Sequence, residues 1–467
     1  MAAGEFDDGT ADVPGGVSGA VGRVLVAGAG IAGLTVANAL TQAGVDCVVL
    51  EARDRIGGRL HTVELGGSPV DLGGSWIHMP EGNPMSAFAR LAGVTCCDAD
   101  PGAEMRGFDC GEGRRLTAAE SGELLDLYEE GFPGAADGLL AELGPDASAA
   151  DAIEAFLATA GAGATAGHLR RARQMLYACV EADFSGRADQ QSLRWMWHEL
   201  AYGGNYFGNA PVGGYRRLVA AMASGVDVRL GRAVTEVAAG PDGVRAVTAD
   251  GAVEEGSHLV VALPLGVLKQ GRPRFTPALP PDRRAAEGRL GFGRFEKVAL
   301  RFAKPFWRQA GFPHLMVFPR APGEWMVWSL GLDAFGGGPV IVFFIFHSAA
   351  ERLADGPADA PVRWARGLLA EATGRPCPEP AAVAVTSWAA DRWTGGAYTY
   401  LPPGASPADA DLLGEPVGGR LLFAGEHTQS ARLAYADGAL TSGIREAKRL
   451  LGRPSVRLAA GHPAKGN

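Results

Sequence analysis

VLVAGAGIAGL at 24–34 is the stretch whose reading decides the fold. Gly28, Gly30 and Gly33 form G-x-G-x-x-G directly after a β-type run, Val24 to Val26, and directly before a helical one, Leu34 to Leu40. In that context the pattern specifies a strand, a tight turn and a helix whose N-terminus faces a pyrophosphate. Gly28 permits the turn, Gly30 lets the backbone approach the phosphates beside Ile31 and Ala32, and Gly33 lets helix pack on strand. Glu51 ends the next apolar run, VDCVVLE, 18 residues beyond Gly33. A carboxylate there accepts hydrogen bonds from ribose hydroxyls and repels a 2′-phosphate, so the expected ligand is an adenine dinucleotide without that phosphate.

The residues after Glu51 separate FAD from NAD. Ala52 and Arg53 lead into the Gly57-Gly58-Arg59 segment, and DLGGSWIH follows at 71–78. Far along the chain, LLFAGEHT at 421–428 sets Gly425 and Glu426 at the end of an apolar run, and a helical stretch follows Tyr435 and Ala436. In this order the motifs resemble the flavin amine oxidases, the family of monoamine oxidases, polyamine oxidases and flavin-dependent histone demethylases, over roughly 21–452. The resemblance implies FAD. Gly58 and Arg59 would pass its pyrophosphate, and Gly73, Gly74, Ser75 and Trp76 would lie beside its ring, with Trp388 and Trp393 as walls. Glu426 would reach the ribityl chain. The final helix would aim its N-terminus at the flavin edge where negative charge grows on reduction. Val237, the second valine of VTEV, would offer backbone hydrogen bonds to the adenine, although its residues alone equally fit a plain edge strand.

Lys297, in GFGRFEKVALRF, is the sharpest catalytic candidate, because a lysine within an apolar strand is costly to bury charged and rare without a partner or a function. Alternation puts Phe295, Lys297 and Ala299 on one face and Glu296, Val298 and Leu300 on the other, and both faces are apolar enough that it does not decide which is buried. The resemblance implies that this lysine acts through a water on the reactive flavin nitrogen and supports reoxidation by oxygen. In SWAADRWTGGAYTYLPPG at 387–404, Ala397 stands where monoamine oxidases carry the cysteine that tethers the flavin, so FAD is expected to be bound non-covalently. Tyr398 and Tyr435 stand at the two positions of the family's aromatic cage, whose rings hold an amine nitrogen and aim its α-carbon. His78 sits where many polyamine oxidases place a histidine near substrate nitrogens, and it reads equally as a packed loop residue.

The chain has 467 residues, 47% of them hydrophobic, a formal charge of −9 and a pI near 5.6. That length suggests two or three domains, and that charge argues against nucleic acid or an anionic membrane as main partner. Six cysteines (47, 96, 97, 110, 179 and 377) include no C-x-x-C and no ligand-like grouping with His, so free thiols and no metal site are expected. No run is apolar enough to span a bilayer, and the first 20 residues lack a signal-peptide pattern. A cytoplasmic enzyme follows from these features, and a homodimer is compatible with them.

Strand-like text occupies 23–27, 45–51, 226–237, 243–248, 257–263 and 420–424, helical text 83–92, 119–143, 148–183, 213–224 and 360–373, and a sheet-like texture 294–347. The expected fold is α/β: a discontinuous Rossmann-type FAD-binding domain (21–82, 225–275 and 415–452) interleaved with an α+β substrate domain (83–224 and 276–414), a mixed sheet covered by helices. Residues 1–20 read as a disordered leader and 453–467 as a disordered tail. LVVALPLGVLK at 259–269 is the crossover between the two domains. The function implied is amine oxidation. Hydride would pass from the amine's α-carbon to FAD, the imine would hydrolyse, and O2 would be reduced to hydrogen peroxide. The alternatives are an L-amino-acid oxidase, disfavoured because no arginine follows GGSWIH until Arg90, a desaturase or protoporphyrinogen oxidase, and a non-catalytic amine-binding flavoprotein.

Overall fold

The computed structural model describes residues 2–7, 9, 16–321 and 323–461. Five parallel strands, in the order Asp227–Arg229, Cys47–Leu50, Val24–Ala27, His258–Val261, Leu421–Phe423, form the sheet that the opening motif leads into. Alternation along these strands splits the core. Val24, Val26, Val49, Val260 and Leu422 face the helices Ile31–Gln42 and Ala436–Leu451. Leu25, Val48, Leu50, Leu259, Val261 and Phe423 face a four-stranded sheet containing Val234–Gly240 and Gly243–Thr248. The result is a three-layer unit, and its C-terminal strand edge opens toward the cavity described below.

A seven-stranded sheet lies beyond it, in the order Ala382–Val385, Phe295–Arg301, Val340–Phe346, Val327–Gly331, His314–Phe318, Met105–Asp109, Arg114–Arg115. Only the Met105–Asp109 pairing with His314–Phe318 is parallel among its ladders. Ala299, Met316, Val342 and Phe344 on one face pack under the helices Ala149–Ala160 and Ala166–Phe184. Val298, Val317, Ile341 and Phe343 on the other face pack on Trp307 and the helix Ala360–Thr373. Because both faces are covered, Phe295–Arg301 is buried through its middle, which is why alternation could not assign Lys297 a side. Among the described residues no helix is long and apolar enough to cross a membrane.

Several boundaries differ from the sequence reading. The stretch expected as one strand at 226–237 is two, Asp227–Arg229 in the parallel sheet and Val234–Gly240 in the four-stranded one. The helix expected at 119–143 is broken by a π-turn at Leu127–Gly131, and 148–183 is two helices separated at 161–165. The ends also differ from the expected disorder. Ala2–Phe6 pairs antiparallel with Val456–Ala460. Asn38, fully buried in the helix Ile31–Gln42, explains the docking: its Nδ2 donates to the Ala459 carbonyl at 2.8 Å and its Oδ1 accepts from the Ala459 amide at 2.9 Å. Phe6, Val456 and Leu458 join the core alongside. Residues 1, 8, 10–15 and 462–467 of the expected leader and tail lie outside the described residues.

Candidate active site

A cavity of about 530 Å³ runs from the parallel sheet to the large sheet. At one end the helix Ile31–Gln42 starts at Gly30 with no side-chain cap, so its first amides are left to the cavity that Ile31 and Ala32 line. Gly28 has a φ of +103°, and a Cβ there would sit 2.6 Å from the Ala262 carbonyl oxygen. A Cβ on Gly30 would meet nothing within 4 Å, so the backbone stands open at the place where a pyrophosphate would lie. Gly33 does not line the cavity. A Cβ there would come within 2.1 Å of the Gly28 carbonyl oxygen, so this glycine serves the helix–strand contact. Glu51, 6% exposed, accepts from the Ala29 amide at 2.7 Å and the Arg53 amide at 2.9 Å, which aims the carboxylate at the turn. Ala52, Arg53 and Gly58 line the wall beside it.

Val237, like Gly33, does not line the cavity. Its strand is paired on both sides at that point, with Ala246 and with Phe275, and its side chain is buried beneath the parallel sheet. Val234 lines the cavity instead, with Ala233, Thr235 and Ala249. A register shift between Val234 and Glu236, and a parallel partner strand that begins only at Glu236, leave Val234 with a strand on one side only.

Arg59 bridges the middle of the cavity. Its Nη1 donates to the Ala397 carbonyl and to Glu426 Oε1, each at 2.8 Å. Burial pushes the Glu426 carboxyl up, but Arg59 and His427 hold it below the usual carboxylate range. Its Oε2 is buried with no hydrogen-bond partner among the described residues. A buried, uncommitted carboxylate oxygen requires a donor, and the ribityl hydroxyls of a flavin are donors of the right kind. The helix Ala436–Leu451 also starts without a side-chain cap, at Tyr435, and Ala436 and Gly425 line the cavity nearby. The uncapped helix starts, the open Gly30 backbone and the Glu426 oxygen together fit FAD. None of the six cysteines lines the cavity, and Ala397 occupies the position beside Tyr398.

Lys297, 3% exposed, points to the cavity side of its strand. Its Nζ donates to the carbonyl oxygens of Asp71 (3.0 Å) and Gly73 (2.6 Å) and to Ser75 Oγ (2.7 Å), beneath the G-G-S-W segment. Burial pulls its pKa down from the ordinary 10.5 to about 8, against the opposing attraction of Asp71. Glu296 on the other face accepts from the amides of Trp388 and Ala389, and Trp388 donates Nε1 to the Leu72 carbonyl at 3.1 Å. Gly73, Gly74, Ser75, Trp76, Trp388 and Trp393 all line the cavity.

The far end is aromatic: Trp76, Tyr206, Phe207, Phe295, Trp328, Phe344, Phe346, Tyr398 and Tyr435. Tyr398 hydrogen-bonds the Ala182 carbonyl, and its ring lies 5.9 Å from that of Phe295. Tyr435 meets His78 edge-on at 5.5 Å. His78 Nδ1 is 2.8 Å from the Tyr206 carbonyl oxygen, and burial lowers its pKa, which favours the neutral ring. Sequence reading missed Asp183, which also lines this end. Burial pushes its carboxyl up to about 6 against hydrogen bonds from Tyr128 and Tyr206. Tyr128 comes from the π-turn, a helix irregularity that often serves a site. Apart from Lys297, which is committed to Asp71, Gly73 and Ser75, the lining at this end carries no Lys or Arg among the described residues.

The family model described as flavin containing amine oxidoreductase matches residues 31–451. "Lysine-specific histone demethylase 1 homolog 3" of Oryza sativa subsp. indica is 32% identical over 462 residues, covering 95% of this chain and 56% of that protein. "Protein FLOWERING LOCUS D" of Arabidopsis thaliana is 32% identical over 441 residues, covering 91% and 54%. The chain thus spans about half the length of the curated relatives it matches.

Proposed function

The chain belongs to the flavin-containing amine oxidoreductase family, and on that premise we propose that it oxidises an unconjugated amine, one without an α-carboxylate, using non-covalently held FAD. The observation that carries this reading is the polarity of the aromatic end: among the described residues, one carboxylate, Asp183, and no uncommitted cation. An α-amino acid would place its carboxylate in an apolar box without a partner, a costly burial. An amine without that carboxylate instead finds apolar ring faces for its carbon skeleton and one acidic group, Asp183, to draw in its charged form.

Gly28, Gly30 and Glu51 would hold the adenosine diphosphate part, Val234 would border the adenine, and Arg59, Glu426 and the start of Ala436–Leu451 would hold the ribityl and ring portions. FAD held there would supply a two-electron acceptor for the hydride equivalent of the amine's α C–H, and O2, taking up that electron pair with two protons, would become hydrogen peroxide. The chain's own residues supply position and environment. Tyr398 and Tyr435 confine the nitrogen so that its lone pair can form the C=N bond as the α C–H breaks. Water then hydrolyses the imine to an aldehyde or ketone. Lys297, anchored by Asp71, Gly73 and Ser75, holds a proton-bearing nitrogen beneath the ring-side segment. The absence of cysteine from the cavity supports a dissociable flavin.

A peroxide-coupled screen of the purified protein against amines and their matched α-amino acids tests the proposal. Peroxide with at least one amine, and little with the corresponding amino acid, is expected. Preference for the amino acid would overturn it in favour of an L-amino-acid oxidase.

A further inference from the structure

Behind the Tyr435 ring lies a group that amine oxidation itself does not require. Arg432 is 1% exposed and does not line the cavity. Its guanidinium carbon sits 3.9 Å from the Tyr435 ring centroid and 5.0 Å from that of Tyr202. Nε donates to Asp437 Oδ2 at 2.6 Å, and Nη1 donates to the Leu200 carbonyl at 3.0 Å. The backbone is bent to make this stack. Ala434, between the two residues, has a φ of +73°, a left-handed conformation that is strained for a residue with a Cβ and persists only where surrounding structure enforces it. Gly438 lets the turn close, because a Cβ there would lie 1.9 Å from the Arg432 carbonyl oxygen.

Tyr435 lines the cavity and Arg432 does not, so the ring stands between the guanidinium and the substrate space. An aromatic face attracts cations through its quadrupole. A cation already held against the rear of the ring draws π density toward itself and leaves the front a poorer host for a second cation. Asp437 offsets part of that effect. We propose that Arg432 is a positioning residue that fixes Tyr435 and biases its cavity face toward the neutral amine over the ammonium. This bias matters because only the neutral amine has the lone pair that the imine requires. The inference rests on the proposed function, since it needs Tyr435 to face the substrate.

Choline and 3,3-dimethylbutan-1-ol, a quaternary cation and its neutral isostere, serve as competitors against the best amine of the screen, and the ratio of their inhibition constants is the readout. Removing the cation together with its counter-ion, Arg432→Gln with Asp437→Asn, should raise the preference for choline about five-fold, the scale of one cation–π contact. Arg432→Lys keeps a cation under the ring and should hold the wild-type ratio. Asp437→Asn alone leaves the guanidinium uncompensated and should lower the choline preference, which decides the matter if the double variant fails to fold. A merely structural arginine would change melting temperature or FAD content without moving the ratio. Tyr435→Leu separates the two layers of the argument. If that variant leaves the ratio unchanged, Tyr435 does not face the ligand and the cage reading itself fails. If it moves the ratio while the Arg432 and Asp437 variants do not, only the role given to Arg432 is overturned.

Discussion

Replacing Lys297 with Met should nearly preserve stability while slowing reoxidation of the reduced flavin by oxygen. Met has similar length and no donor. The lysine's pKa falls from the ordinary 10.5 to about 8 on burial, and that shift corresponds to roughly 3 kcal/mol of penalty for keeping it charged. Its three hydrogen bonds, to Asp71, Gly73 and Ser75, return about 1 kcal/mol each. The two terms cancel to within about 2 kcal/mol, so the holoprotein's melting temperature at pH 7 should move by no more than about 5 °C. The sign with pH follows from proton linkage. Below about 8 both folded and unfolded states carry the proton and the penalty is complete. Between about 8 and 10.5 the unfolded chain binds more protons than the folded one, so wild-type stability rises with pH relative to Lys297→Met. Thermal melts at pH 7 and pH 9.5, paired with stopped-flow mixing of the reduced protein with oxygenated buffer, check both halves. Reoxidation should slow at least about 10-fold, equivalent to about 1.4 kcal/mol of barrier. Wild-type reoxidation in the variant, or loss of FAD with a collapsed melting temperature, would refute the reasoning by making Lys297 a structural donor only.

Acid or heat denaturation should release yellow FAD into the supernatant, since no cysteine reaches the cavity; colour that stays with the precipitate would contradict non-covalent binding. Tyr398→Leu and Tyr435→Leu should each lower kcat/KM about 5- to 30-fold, or roughly 1–2 kcal/mol, in anaerobic reduction. Their FAD content should stay constant. Asp183→Asn should raise KM for a cationic amine with a smaller effect on kcat. Because its carboxyl titrates near 6, the wild-type KM should rise as pH falls through that value while the variant's does not; equal pH dependence in both would remove Asp183 from substrate attraction.

Local chemistry made part of this site readable, and distance along the chain hid the rest. The glycine cradle and Glu51 are specified within 28 residues, so their packing consequences follow from sequence directly. Lys297 stood out because a charge in an apolar strand needs a reason, yet its side of the sheet was undecidable, since helices cover both faces of Phe295–Arg301. Val237 follows from the resemblance, as the second valine of VTEV, and a plain alternating strand gives no sign of the register shift at 234–236 that accompanies Val234 at the cavity wall. Asp183, Tyr206 and Trp328 reach the cavity from a helix, a loop and a strand far apart in sequence, and no short motif announces such convergence. Arg432 belongs to none of the motifs that the sequence shows. Only the left-handed turn at Ala434 turns the Tyr435 ring onto it. The pairing of Ala2–Phe6 with Val456–Ala460 joins strands more than 400 residues apart and depends on one buried asparagine, Asn38.

The most direct test of the central claim is anaerobic mixing of the FAD-loaded protein with a panel of amines and matched α-amino acids, followed by admission of air. The account predicts that at least one amine bleaches the flavin fully without oxygen, that its carboxylated counterpart does so far more slowly, and that air restores the colour with one hydrogen peroxide formed per amine consumed. A flavin that no amine bleaches, or one bleached faster by the amino acid, would contradict it.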